Sequence, residues 1–315
     1  MSREVFRWSM PLLLLAVCVG FAIVSPRFLS LENFSAVLTQ SSWLVVVALG
    51  MNFVLLAAGV DLSVGAAMYL AAVAVGLGLV NAPVPVCLLA AIATGSIVGA
   101  VNGLFVVRLQ LPSFVATLAM TFVGRGFGLF FTSTKVLPAS PPLADFGRAT
   151  LLGVPVPLCL AGCAVLFAAV LLHATPYGPY LRSIGADRER ALRTGVPVNA
   201  VVWSVYGLCG AFAGLGGFIS LSQTSAASGA FGQNAEFLAI AASVLGGTSL
   251  FGGRGSLWAP VTGALLITTV QNGLAMINAN PYVYPVITAG IILLAALLDS
   301  VRLRALSAPR ATVSG

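Results

Sequence analysis

Apolar runs long enough to cross a lipid bilayer follow one another from Trp8 to Leu298, separated only by short polar breaks. A spanning helix needs roughly 20 mostly apolar residues. By that rule spans are expected near 8–24, 41–58, 62–80, 84–107, 113–133, 154–173, 201–222, 236–251, 256–278 and 282–298. The segment 236–251 is the shortest and can be read instead as a re-entrant or tilted piece. Proline, glycine and asparagine mark most of the breaks, as at Pro26, Pro83 with Pro85, Pro112, Pro176 with Pro179, and Asn280 with Pro281.

Composition agrees with this reading. The 315 residues are 59% hydrophobic and 7% charged, whereas about a quarter of a soluble globular chain is charged. The fold class expected is an all-α polytopic bundle of about ten membrane helices, forming one membrane domain over residues 1–315. Charge distribution gives its direction. With the N-terminus cytoplasmic, Arg3, Arg7, Arg108, Arg182, Arg188, Arg190, Arg193, Arg254, Arg302, Arg304 and Arg310 fall on the cytoplasmic side, and only Arg27, Lys135 and Arg148 fall opposite. That bias follows the positive-inside rule and places both termini on the cytoplasmic side. The basic residues are scattered singly, so no nucleic-acid face is expected. Arg3 and Arg7 before an apolar run resemble a signal peptide, but the run is long and no small-x-small site ends it, so an uncleaved first span is expected.

Several chemistries lack their residues. The only lysine, Lys135, sits outside any glycine-rich phosphate loop, so the chain is not expected to hydrolyse ATP. Five cysteines in apolar stretches and a single histidine, His173, make no zinc pattern, and no metal or cofactor is expected. Ser113, Thr117, Thr121 and Arg125 recur at four-residue spacing and so share one helix face. An intramembrane Arg facing lipid is costly, so that face meets protein or water, with Asp145 or Glu236 as partner. The stripe reads equally as interhelix glue. Asp61 is expected in a short cytoplasmic turn, where with Ser63 it either caps a helix or marks a gate. Asn52, Asn102, Gln271 and Asn272 add amides within spans, and some of these are expected to line a path with weak polar contacts. A faint likeness between Leu56–Met68 and Leu245–Leu257 is the one hint of internal repetition.

The longest polar loop on the basic side, 174–200, contains a helix-forming stretch from Asp187 to Arg193, with Gly195 as C-cap and Pro197 beyond. Either this is an ordinary charged loop or it is a stiff knob for a cytoplasmic partner. Glu189-Arg190-Ala191 followed by Gly195-Val196 resembles the Glu-Ala-Ala…Gly coupling loop of bacterial ABC importer permeases, with Arg190 where that pattern often has Ala. Gly59-Val60-Asp61-Leu62-Ser63-Val64-Gly65, the stretch Leu111 to Leu118 and the stretch Val244 to Ser256 resemble the blocks of the ribose-type (monosaccharide) permeases, in the family's order. The resemblance implies a cytoplasmic ABC ATPase, a periplasmic sugar-binding protein and a second permease subunit as partners, within membrane lipid. It implies an ATPase-coupling set of Ser183, Gly185, Asp187, Glu189, Arg190, Ala191 and Gly195. The path or gate set is Asn52, Asp61, Ser63, Asn102, Ser113, Thr117, Thr121, Gln271 and Asn272. A second function class is an ion-coupled carrier using Asp61, Arg125 and Glu236 as a relay; a third, an intramembrane enzyme, lacks a nucleophile–base pair.

Overall fold

The computed structural model of the chain describes residues 3–280, 282–287, 289, 290 and 293, with side chains from Leu12 onward. Helix α1 (Arg3–Val24) leads through a 3-10 turn into α2 (Leu31–Leu56), whose first turn is capped where Ser30 accepts a hydrogen bond from the Asn33 amide. Then follow α3 (Val64–Gly78), α4 (Val84–Arg108), α5 (Ser113–Thr132) and the short α6 (Pro141–Arg148). Helix α7 (Val156–Ala169) runs on through a π turn to Ala174, and α8 (Tyr177–Ala186) and α9 (Arg188–Arg193) precede the long α10 (Val198–Thr224). Helices α11 (Ala235–Leu245) and α12 (Trp258–Met276) complete the described elements. Two-residue strands form two small antiparallel pairs, Leu137–Pro138 with the distant Ala226–Ala227 and Thr150–Leu151 with Val154–Pro155.

Among the described residues, five helical stretches are long and apolar enough to cross a membrane: α2, α4, α5, Val156–Ala174 and α10. Two of the expected spans hold helices shorter than the bilayer core. At about 1.5 Å per residue, the 15 residues of α3 cover about 22 Å and the 11 of α11 about 16 Å, against a hydrocarbon core of about 30 Å. The helix within 236–251 is therefore not a full span by itself, and the chain continues from it to α12 as the irregular stretch 246–257. The expected spans 41–58 and 201–222 also underestimated their helices, which begin at Leu31 and extend to Thr224. Eight of the 17 residues of the expected span 282–298, with Arg302, Arg304 and Arg310, lie outside the described residues.

The α4–α10 contact organises the bundle. These helices run antiparallel, with Gly95 facing Gly210 and Gly214, Gly99 facing the Tyr206 carbonyl, and Gly103 facing Trp203. Where lipid provides no hydrophobic drive, small residues let backbones approach and gain dispersion contacts. Helix α2 packs on the other side of α10, its Gly50 against Phe212 and Cys209 and its Val47 against Gly216. Most of α2 beyond Ser41 is fully buried, so it is a core helix rather than a lipid-facing one.

A paired substitution tests this crossing. In Gly210→Ala the new methyl meets the Gly95 carbonyl, and we expect a loss of about 1–3 kcal/mol. Gly207→Ala on the same helix points into open space and should leave stability unchanged or raised. Thermal unfolding of the detergent-purified protein compares the two.

Candidate functional site

Between α2 and α3 the helix breaks inside the protein. Residues 57–63 leave α2 through Ala58, at φ 59°, and return into the bundle before α3 starts. Asp61 stands beside Cys209, eleven residues into α10 and hence about 16 Å from that helix's start. Its side chain is 1% exposed. This corrects the expectation of a water-contacting carboxylate in a cytoplasmic turn: the turn is an elbow folded back toward the middle of the bundle.

Non-helical backbone at such depth persists only if its polar groups find partners in the protein. The face of α5 supplies them. Ser113 Oγ accepts from the Val60 amide at 3.3 Å, Thr117 Oγ1 donates to the Val60 carbonyl at 3.4 Å, and Thr121 Oγ1 donates to the Leu62 carbonyl at 2.7 Å. Asp61 Oδ1 accepts from both the amide and the hydroxyl of Ser63, and Asn102 Nδ2 donates to that hydroxyl at 2.7 Å. Asp61 Oδ2 and Asn102 Oδ1 remain buried without a partner among the described residues. The stripe therefore acts as interhelix glue in this structure. Thr117 and Asn102 are fully buried, so neither lines an open path here.

Arg125 continues the stripe, donating to the carbonyls of Gly229 and Phe231 at 3.3 Å. Of its two expected partners, Asp145 is exposed, whereas Glu236 comes to the same place as Arg125, the two flanking the bare Cα of Gly65. No ion pair closes between them among the described residues, and Arg125 Nη2 and Glu236 Oε2 are both unpartnered.

A second interrupted stretch, 246–257 between α11 and α12, packs directly on the first. The Gly253 amide donates to the Leu56 carbonyl, Gly252 abuts Ala58, and Asn52 links the two by donating to the Ser256 carbonyl and accepting from Thr248 Oγ1 at 2.6 Å. The two segments with faint sequence likeness thus touch each other. Gly185, near the end of α8, closes the joint: a methyl there would collide with the Leu56 carbonyl and the Gly253 amide.

Beyond this joint α9 stands out from the end of the bundle. Asp187 caps it by accepting from the Arg190 amide, and Gly195, at φ 83°, stops it. Ser183 Oγ bonds back to the Tyr180 carbonyl, and Ala191 is buried against the bundle. Glu189, Arg190 and Arg193 are exposed, Arg190 pairing loosely with Asp187 at 3.6 Å and Arg193 with Glu189 at 3.7 Å, and Leu192 is 63% exposed. A cavity of about 560 Å³ opens at this end between Ala57–Gly59, Ser113, Arg188, Asn199 and Tyr206. Gln271 and Asn272 lie elsewhere, toward the opposite end on α12. The predicted path set is therefore divided between the elbow and α12.

A family profile described as "Branched-chain amino acid transport system / permease component" matches residues 33–297. The chain is 37% identical to the ribose import permease protein RbsC of Escherichia coli K12, over 91% of this chain and 92% of the relative. It is 36% identical to RbsC of Bacillus subtilis, over 88% of each, and 32% identical to the D-allose transport system permease protein AlsC of E. coli K12, over 91% and 89%. No solved structure matches.

Two substitutions probe the elbow. Thr121→Val leaves the Leu62 carbonyl without that donor, and should cost about 1–3 kcal/mol in detergent unfolding experiments. Asn102→Leu should lower solute uptake while the chain still inserts in the membrane; normal uptake would remove the Asp61–Ser63–Asn102 cluster from the transport cycle.

Proposed function

This chain belongs to the permease family of ABC importers, in its ribose-type branch, and on that premise we propose that it is the membrane subunit that imports a monosaccharide or related polyol. The observation that carries the proposal is the placement of α9. It is a short, capped, solvent-exposed helix with fixed ends, and it is continuous through Gly185 with the joint between the two interrupted stretches. A partner that pushes on a rigid knob can move what the knob is packed against. In the proposed cycle a cytoplasmic ABC ATPase docks on α8–α9, within the coupling loop 174–200, and its nucleotide cycle shifts the joint. A periplasmic sugar-binding protein delivers the solute to the opposite end. A second permease subunit, of the same or a related kind, completes the pore in the inner membrane.

The proposed arrangement has about ten crossings with both termini in the cytoplasm. The alternation of helix directions supports it: α2, α4 and α7 run toward the α8–α9 end, and α5, α10 and α12 run away from it. Its charge distribution supports the same orientation.

One observation favours a second reading. Asp61 lies at mid-depth beside a broken helix, the kind of place where ion-coupled carriers hold their coupling sites. Reconstitution in proteoliposomes separates the two. ATP-driven uptake of D-ribose, D-allose or D-galactose that requires a separate ATPase and binding protein supports the importer subunit. Uptake by this chain alone, driven by a proton or sodium gradient, would refute it. Within the importer, Glu189→Lys or Gly195→Pro should abolish ATP-coupled uptake with membrane insertion preserved, and unchanged coupling would defeat the role given to α9.

A further inference from the structure

A cavity of about 430 Å³ opens at the end of the bundle opposite α8–α9, between α2, α10 and α12. Gln40 and Trp43 come from α2, Gln223 from the last turn of α10, and Thr268 and Gln271 from α12. Its size is that of small-molecule pockets, which run from about 300 to 1,000 Å³. Three glutamines meeting at the end of a strongly apolar bundle are costly against lipid, so their convergence calls for a polar occupant.

The hydrogen-bonding state of these side chains sets the cavity apart from the elbow. Around Asp61 the hydroxyls of Ser63, Ser113, Thr117 and Thr121 and the Asn102 Nδ2 group are committed to protein partners. In the cavity Gln223 donates through Nε2 to the Thr39 carbonyl at 2.7 Å, and the Thr39 and Thr224 hydroxyls donate to main-chain carbonyls. The amides of Gln40 and Gln271, the Thr268 hydroxyl and the Trp43 indole N–H bond to nothing among the described residues. Each amide offers both donors and an acceptor, which suits a hydroxyl that must give and receive at once.

Charge narrows the ligand further. The cavity lining contains no Asp, Glu, Lys, Arg or His. An amino-acid zwitterion entering it would lose water from two charges with no countercharge in return. A neutral polyol loses only hydroxyl hydration, which amides and hydroxyls replace, and the face of an indole can cover its C–H surface.

We propose that this cavity is a binding site for a neutral, polyhydroxylated solute, with Trp43 as platform and Gln40, Gln271 and Thr268 as hydrogen-bonding groups. The site deepens the importer reading and rests on it for its place in a transport cycle, receiving solute at the delivery end. Binding itself can be measured without ATP or any partner.

The test is saturation-transfer NMR on the detergent-purified full chain with D-ribose, D-allose, D-galactose and L-leucine as separate probes. At least one sugar should receive saturation from the wild-type chain, and L-leucine none. Trp43→Ala and Gln271→Leu should each weaken sugar binding about tenfold, the scale of one lost polar or packing contact of about 1.4 kcal/mol. Trp43→Phe, which keeps an aromatic face, should retain most of it. A wild-type chain that takes saturation from no sugar overturns the site, as does binding that both Trp43→Ala and Gln271→Leu leave intact. Preference for L-leucine overturns the ligand class. Sugar binding without ATP-driven uptake in proteoliposomes would leave the site standing and count against the importer reading alone.

Discussion

Inside a bilayer no water is at hand to satisfy a peptide group that leaves a helix. The elbow at 57–63 exists because a face of α5 replaces that water: its hydroxyls at four-residue intervals meet, in order, the amide and carbonyl of Val60 and the carbonyl of Leu62. The helix break and the polar stripe are two halves of one structure. Without the stripe the elbow would leave unpaired peptide groups in a low-dielectric interior. Without the elbow the stripe would be a row of hydroxyls with only their own helix to bond. Asp61 is carried to mid-depth by this arrangement, and Ser63, its hydroxyl held in turn by Asn102, bonds one of its oxygens.

The same constraint explains why the two interrupted stretches meet. Each has surplus backbone groups, and pairing the Gly253 amide with the Leu56 carbonyl settles one from each. The approach is close because glycine occupies the contact, and Gly185 lets α8 join at the same point. A joint made from main chain transmits displacement well, since it has no side-chain rotamers to absorb it. The platform at α8–α9 is thereby mechanically continuous with the centre of the bundle.

Polar side chains in this chain fall into two populations. Those near the elbow put their hydroxyls and the Asn102 Nδ2 group into internal bonds and make the architecture possible. Those at the opposite end, around Trp43 and Gln271, keep their hydrogen-bonding capacity open to a cavity. Hydropathy does not distinguish the groups, because both consist of isolated amides and hydroxyls within apolar runs.

The sequence by itself determined the helical membrane character, most of the helix positions, the capped helix from Asp187 to Gly195 and the shared face of Ser113, Thr117, Thr121 and Arg125. These depend on local periodicity, on capping chemistry and on how much apolar surface one segment carries, all of which reside in neighbouring residues. The depth of Asp61 was decided only by tertiary structure, because a seven-residue break has the same composition whether it lies at the membrane surface or folds back inside. Gln40 and Gln223 were likewise illegible as a pair. They sit just beyond the expected spans, and only the extra turns of α2 and α10, stabilised by packing on each other, bring them into helices and into one cavity. Which carboxylate approaches Arg125 was also a question of distance between elements far apart in the chain, and no local pattern encodes that.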